Sequence, residues 1–170
     1  MSEFEIFAQL CSRLLDLNEK RYKSCLCLGA ACYAESLKHL ADKVSLVIQE
    51  EKLIPGMILY MGNQLGKIYL TDTLKVYAEE SYDLVLLNHW FSCGETEKIT
   101  VAMALLYAFT KSGGTIVLRE KVNKNKSLYP PLDFYNNLIS ALGLRTLKSS
   151  LSYFNRHCVI CMILIKETMY

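Results

Sequence analysis

The sequence predicts an α/β fold: a mostly parallel sheet with helices on both faces and an antiparallel β-hairpin at the C-terminal end. Three observations carry this expectation. The candidate strands "SCLCLG", "KVSLVIQ", "SYDLVLLNHWF" and "GTIVLRE" are apolar throughout rather than alternating, as strands buried on both faces of a parallel sheet are. They alternate with helical segments, which is how parallel strands are connected. The last stretch, "LKSSLSYFNRHCVICMILIKE", reads as one or two strands with no helix between them, so it closes the sheet as a hairpin.

Each element has its own signal. Residues 2–19 form an amphipathic helix, with Phe4, Phe7, Leu10, Cys11, Leu14 and Leu15 on one face and Ser2 as its cap. "SCLCLG" is a short buried strand ending in Gly29, and "ACYAESLKHLA" is a helix with Leu37, Leu40 and Ala41 inward. "KVSLVIQ" is the second strand. "EEKLIPG" is a short helix or turn stopped by Pro55 and Gly56. "GMILYMGNQLGKIYLTD" holds one or two short strands, the later being "KIYLTD". "SYDLVLLNHWF" is the clearest strand of the chain. "ETEKITVAMALLYAFTKSGG" is a helix with acids in its first turn, a lysine in its last and two glycines beyond, in accord with the helix dipole. "GTIVLRE" is a strand and "PLDFYNNLISALGL" a helix.

The 170 residues suit one domain, 1–170, and a 52% apolar content builds a core without disulfide staples. The 19 basic and 17 acidic residues leave a net charge of +2, which gives no basic face for nucleic acid. The seven cysteines are an odd number, and Cys25, Cys27, Cys158 and Cys161 sit in apolar strands, so they read as reduced core residues of a cytoplasmic protein. Cys158 and Cys161 form a CxxC, but residues three apart on a strand point to opposite faces and cannot share a metal. "MSEFEIFAQLCSRLL" does not read as a signal peptide, and "VAMALLYAF" and "CVICMILI" are too short to span a bilayer. The expectation is a soluble chain with no metal, no nucleic acid and no membrane.

In an open α/β sheet, ligands bind beyond the carboxyl ends of the strands. The positions to inspect are Gly29 to Cys32, Gln49 to Glu51, Asp72, Asn88 to Trp90, and Arg119 to Lys121.

The element order, the glycine turn in "CLCLGAACYAES", "YDLVLLNHWF" and "FTKSGGTIVLRE" together resemble the class I S-adenosylmethionine-dependent methyltransferases over nearly the whole chain. "DLVLLNHWF", "GGTIVLRE" and "LYPPLDFYNNLI" are similar to the fourth strand, fifth strand and substrate-side loop of the phosphoethanolamine N-methyltransferases. The resemblance implies a Rossmann-like methyltransferase fold. It divides the domain into an N-terminal helix (1–20), a cofactor-side core (24–120) and a substrate-side helix with the terminal hairpin (121–170). The cofactor implied is S-adenosylmethionine, and the cofactor-binding positions are Gly29, Ala31, Gln49, Asp72 and Asn88.

The cofactor turn departs from the family's pattern. Its acid falls on Cys27, its first glycine on Gly29, its second on Ala31 and its third on Tyr33. A cysteine cannot accept a carboxylate's hydrogen bonds, and a tyrosine brings a ring where backbone and ligand approach closely. The ribose-binding acid at the end of the second strand falls on Ile48, or on Gln49 with the register shifted by one, while Glu50 lies beyond. Asp72 matches the acid that meets the adenine amine, and Asn88 keeps a polar group at the floor. Losing two anchoring carboxylates, at about 1.5–3 kcal/mol each, moves a micromolar site towards millimolar.

His89 and Tyr129 are the candidate catalytic residues. The plainer roles are a histidine packed beside Trp90 and a loop anchor beside Pro130 and Pro131. Lys121, Lys124 and Lys126 form either a phosphate-attracting loop or a solvated one, and Leu128 stands where the family carries a histidine. Trp90 and Phe91 form either a lid over a methyl donor or an ordinary apolar cover. Cys93, in "SCGE", has no basic neighbour in sequence and is not read as a nucleophile. Two readings follow. One is a methyltransferase-fold protein with cofactor binding weakened or lost, acting through a catalytic methyltransferase partner or as a homo-oligomer. The other is an active N-methyltransferase of a small amine such as phosphoethanolamine. The turn lacks GxGxxG and a Walker lysine, which disfavours other nucleotide-binding folds.

Overall fold

A capping box starts the first helix, α1 (Glu3–Asn18). The Glu5 N–H donates to Ser2 Oγ at 3.2 Å, and the Ser2 N–H donates to Glu5 Oε2 at 2.7 Å. The helix buries Phe7, Leu10, Cys11 and Leu14, whereas Phe4, expected on the same face, is largely exposed. The computed structural model describes residues 1–29, 33–70, 81–91, 95–123, 128–154 and 157–168. The chain divides into two units, Met1–Val76 and Tyr77–Tyr170.

In the first unit α1 is followed by β1 (Tyr22–Leu28), α2 (Ala34–Leu40), β2 (Ala41–Ile48), a 3₁₀ turn at Glu51–Leu53, α3 (Ile54–Met61) and β3 (Leu65–Leu70). Strand β2 lies between β1 and β3 and pairs parallel with both. Cys25, Leu26, Cys27 and Leu28 are all fully buried. Successive strand residues face opposite sides, so both faces of β1 are covered. Pro55 and Gly56 do not stop a helix here. Pro55 sits in the first turn of α3, where its missing N–H costs nothing, and the helix ends at Gly62, whose φ is 54°. Of the one or two strands expected in "GMILYMGNQLGKIYLTD", one is present, β3, and the residues before it belong to α3 and a 3₁₀ turn.

In the second unit the order is β4 (Tyr82–Asn88), α4 (Thr96–Phe109), β5 (Thr110–Val122), α5 (Leu132–Ala141), β6 (Leu144–Phe154) and β7 (His157–Lys166). Strands β4 and β5 are parallel. Strand β7 runs antiparallel between β5 and β6, which forms the expected terminal hairpin. The lysine expected in the last turn of α4 is elsewhere: Lys111 belongs to β5 and pairs with Asp83 at 3.3 Å. The last carbonyls of α4 are met from β7, by Lys166 Nζ, which donates to Tyr107 O and Thr110 O at 2.9 Å each. A cation at a helix C-terminus is favourable whichever element supplies it.

The two glycines of "KSGG" lie inside β5 at a register shift against β4. A Cβ on Gly114 would stand 2.8 Å from Lys111 O, 2.8 Å from Thr110 Cγ2 and 3.2 Å from Asp83 O. Backbone oxygens held in a sheet cannot give way cheaply. Gly114→Ala is expected to cost about 1–3 kcal/mol, lowering Tm by roughly 5 °C in a thermal melt. An unchanged Tm would contradict this close packing.

Among the described residues, no helix is long and apolar enough to cross a membrane, and no group of three His, Cys, Asp or Glu side chains is placed to hold a metal. Cys25, Cys27 and Cys158 are buried and Cys161 half-buried, and none of the four is in a disulfide.

Candidate functional site

The carboxyl ends of the parallel strands hold the candidate residues, described unit by unit. In the first unit, β1 leads into Gly29, whose φ of 75° is the left-handed geometry that favours glycine at a strand-to-helix turn. Ala31 lies outside the described residues, as does Asp72 beyond β3. Tyr33, at the position of the third family glycine, has φ −106°, which any residue adopts. Its ring stacks on Phe7 of α1 at 4.4 Å between centroids and 15° between planes, with Phe4 at 6.3 Å. The Tyr33 ring is thus held by the N-terminal helix.

The positions to which the resemblance assigns acids are Cys27 and either Ile48 or Gln49. Cys27 is fully buried opposite Leu46, and Ile48, the last residue of β2, is also buried. Gln49 is exposed. The carboxylate of Glu50 is paired with Lys52 at 2.7 Å in solvent, and that pairing raises the lysine's pKa.

In the second unit the end of β4 is knitted to β5. Asn88 and Arg119 are register partners, both buried. Arg119 Nη1–H donates to Asn88 Oδ1 at 2.8 Å, and the His89 N–H donates to Arg119 O at 2.8 Å. His89 has φ 50°, an uncommon conformation for a residue with a Cβ. The Trp90 N–H then donates to Glu120 Oε1 at 2.8 Å, and the Phe91 N–H also bonds this carboxyl. Asn88 Oδ1 thus meets Arg119, and His89 stands where the chain turns out of β4.

Arg119 and Glu120 close the expected strand "GTIVLRE", and β5 runs on past them to Val122, so Lys121 lies within the strand rather than after it. Arg119 and Glu120 are almost wholly buried. Burial pushes the Glu120 carboxyl up to about 8, against the opposing pull of the Trp90 and Phe91 N–H groups and of the charges on Arg119 and Lys121. Its Oε2 is buried with no hydrogen-bond partner among the described residues. An Arg–Glu pair directly after the apolar run "IVL" of β5 is the sequence signal that marks this pair, since Arg and Glu are seldom buried.

Tyr129 is half-buried between Lys121, whose Nζ is 5.7 Å from its ring centroid, and His157, which meets it edge-on at 5.9 Å. This is the geometry of an anchored loop residue. Leu128 beside it is exposed. Lys124, Lys126 and Cys93 lie outside the described residues.

No protein-family model and no curated protein matches the chain. Solved structures do. The N-methyltransferase NodS from Bradyrhizobium japonicum matches with a TM-score of 0.75 and 14% identity, over 96% of this chain and 97% of that one. An S-adenosylmethionine-dependent methyltransferase from Clostridium acetobutylicum gives 0.77 at 9% identity, over 99% and 93%. The 1,6-didemethyltoxoflavin-N1-methyltransferase from Burkholderia thailandensis gives 0.75 at 14% identity, over 94% and 78%. Strand and helix order, the parallel strands and the antiparallel terminal pair all agree with these proteins, and the chain has the Rossmann-like methyltransferase fold.

Proposed function

We propose that this chain is a methyltransferase-fold domain in which S-adenosylmethionine binding is weakened or lost. Its role is regulatory, through a catalytic methyltransferase partner or a second copy of itself. One observation supports the reading: buried Ile48 ends β2, at a position the resemblance assigns to the ribose-binding acid, and the nearby Glu50 is paired with Lys52 in solvent. Cys27 and Tyr33 support it. NodS is known bound to S-adenosylhomocysteine, and CalS10 bound to S-adenosylmethionine, so proteins of this fold accommodate the cofactor.

Restoring an anchor tests the reading. Gln49 is exposed, so Gln49→Asp adds a carboxylate without burying it. It is expected to tighten S-adenosylmethionine binding about tenfold, the worth of one charged hydrogen bond. Equal, tight binding by wild type and variant would contradict the proposal.

A second reading is favoured by the buried, half-satisfied carboxyl of Glu120. It is an active N-methyltransferase of a small amine such as phosphoethanolamine, acting in phosphocholine synthesis. Methyl transfer is an in-line displacement that needs a positioned donor and a dry site more than an acid or base. Methyl transfer by the purified chain, lost in Asp72→Ala, would favour this reading over the first. Activity with Asp72→Ala unaffected would remove Asp72 from the site.

A further inference from the structure

Strand β6 has β7 on one side and, among the described residues, no strand on the other. Every residue from Arg145 to Tyr153 is exposed, whereas most of β7 beside it is buried. An open edge offers a row of backbone N–H and C=O groups, and native edges are guarded by charge, proline or a bulge. Here the guards end at Lys148. Arg145, Lys148 and the register shift between Thr146 and Lys148 protect the first part of the strand, while "SSLSY", 149–153, has no charge, no proline and no shift.

The same stretch is apolar on one face. Ser149, Leu151 and Tyr153 alternate to one side of the sheet. They lie opposite Met162, Ile160 and Cys158 of β7, all buried, and directly opposed residues share a face. The apolar rows of the core thus run out to the edge, where Leu151 is 49% and Tyr153 61% exposed. The other face carries Lys148, Ser150 and Ser152.

An extended strand is what an open edge accepts, and the side chains fit a second copy of this one. A two-fold axis perpendicular to the sheet pairs an edge with its own copy antiparallel. It leaves each side chain on its own face, so it passes through a residue position. The regular stretch Lys148–Phe154 is centred on Leu151. With the axis there, Leu151 meets Leu151 of the copy. Tyr153 stands opposite Ser149 and diagonal to Leu151, and Ser150 stands opposite Ser152. Lys148 stands opposite position 154, so the two lysines lie at opposite ends of the seam. Apolar meets apolar, hydroxyl meets hydroxyl, and no like charges face each other. A two-fold contact also closes on itself, because each edge covers the other.

We propose that β6 is a homodimerisation edge: two copies of the chain join antiparallel through Lys148–Phe154, about a two-fold axis at Leu151. The inference names the second copy in the first reading and rests on that reading for its purpose. Edge pairing needs no cofactor, so it stands or falls apart from S-adenosylmethionine binding. The seam is well short of the about 20–30 residues a side of a standard interface, so the dimer forms and dissociates with concentration.

The test is sedimentation equilibrium of the full chain without cofactor, from micromolar to millimolar protein. Monomer and dimer are expected in exchange, the dimer at twice the chain's 19.4 kDa, with hydrogen exchange of the β6 amides slowing as it forms. Leu151 is half exposed, so Leu151→Lys and Leu151→Glu leave the core intact, which circular dichroism checks. Each alone sets like charges face to face and is expected to weaken the dimer at least about tenfold, while an equimolar mixture recovers it by placing opposite charges together. A chain that stays monomeric at millimolar concentration would overturn the proposal. So would a dimer that both variants keep, or one whose β6 amides exchange at the monomer's rate, since either places the contact elsewhere. Two monomeric variants that do not pair when mixed would contradict the axis at Leu151. Micromolar cofactor binding would overturn the first reading and leave the dimer result standing.

Discussion

Wild-type chain is expected to lose stability as pH rises from about 4.5 to about 8, and Glu120→Gln to remove most of that loss. In the folded chain burial holds the Glu120 carboxyl at about 8, above its ordinary value of 4.5. Between those limits the unfolded chain has released the proton and the folded chain still keeps it. The folded state binds more protons, so stability falls with rising pH, on the order of 1 kcal/mol per pH unit. The contribution is complete below the unfolded value and gone above the folded one. Gln carries no such proton and still accepts the Trp90 N–H. Urea unfolding of both proteins across the window, taken as a difference, isolates this group from the histidines. Parallel curves for the two proteins would show that Glu120 is ionised throughout, as an ordinary carboxylate is.

Phe7→Ala is expected to cost about 3–5 kcal/mol, the usual loss for a buried phenylalanine. Phe7 is fully buried in α1 and carries the stacked Tyr33 ring, which adds about 0.5–1.5 kcal/mol beyond area burial. A double-mutant cycle with Tyr33→Leu separates the two contributions, because the coupling between touching residues is what such a cycle measures. Coupling near zero would mean that the ring is not held by α1. Substantial coupling would mean that the tyrosine replacing a family glycine has been built into the core of the first unit. Its retention would then be structural.

Much of the fold is legible because buried strands and helix ends are local signals. The continuous apolar runs of β1, β2, β4 and β7 mark strands covered on both faces, and Ser2 with Glu5 marks the start of α1. Helix α3 is hidden for a physical reason. Pro55 and Gly56 read as a stop, and the exposure of Ile58, Leu59 and Tyr60 removes the one-sided pattern by which a surface helix is recognised. The C-terminal cap of α4 is hidden because Lys166 reaches it from β7, 59 residues beyond Tyr107.

The site divides the same way. Gly29 at the turn is legible from the glycine after an apolar run, and the structure gives it φ 75°. Glu120 owes its character to a Trp90 N–H 30 residues earlier in the chain and to burial, and neither is a local property. Asn88 shows the limit from the other side. Its position at the end of β4 is legible, but its partnership with Arg119 across the strand pair emerges only when β4 and β5 are in register.

Calorimetric titration of the purified chain with S-adenosylmethionine, with S-adenosylhomocysteine as second ligand, tests the central claim most directly. The account predicts no binding, or binding only at millimolar ligand, as the proposed loss of anchoring acids at Cys27 and at the end of β2 requires. Micromolar affinity for either ligand would contradict it and make the cysteine-and-tyrosine turn a working variant of the cofactor site.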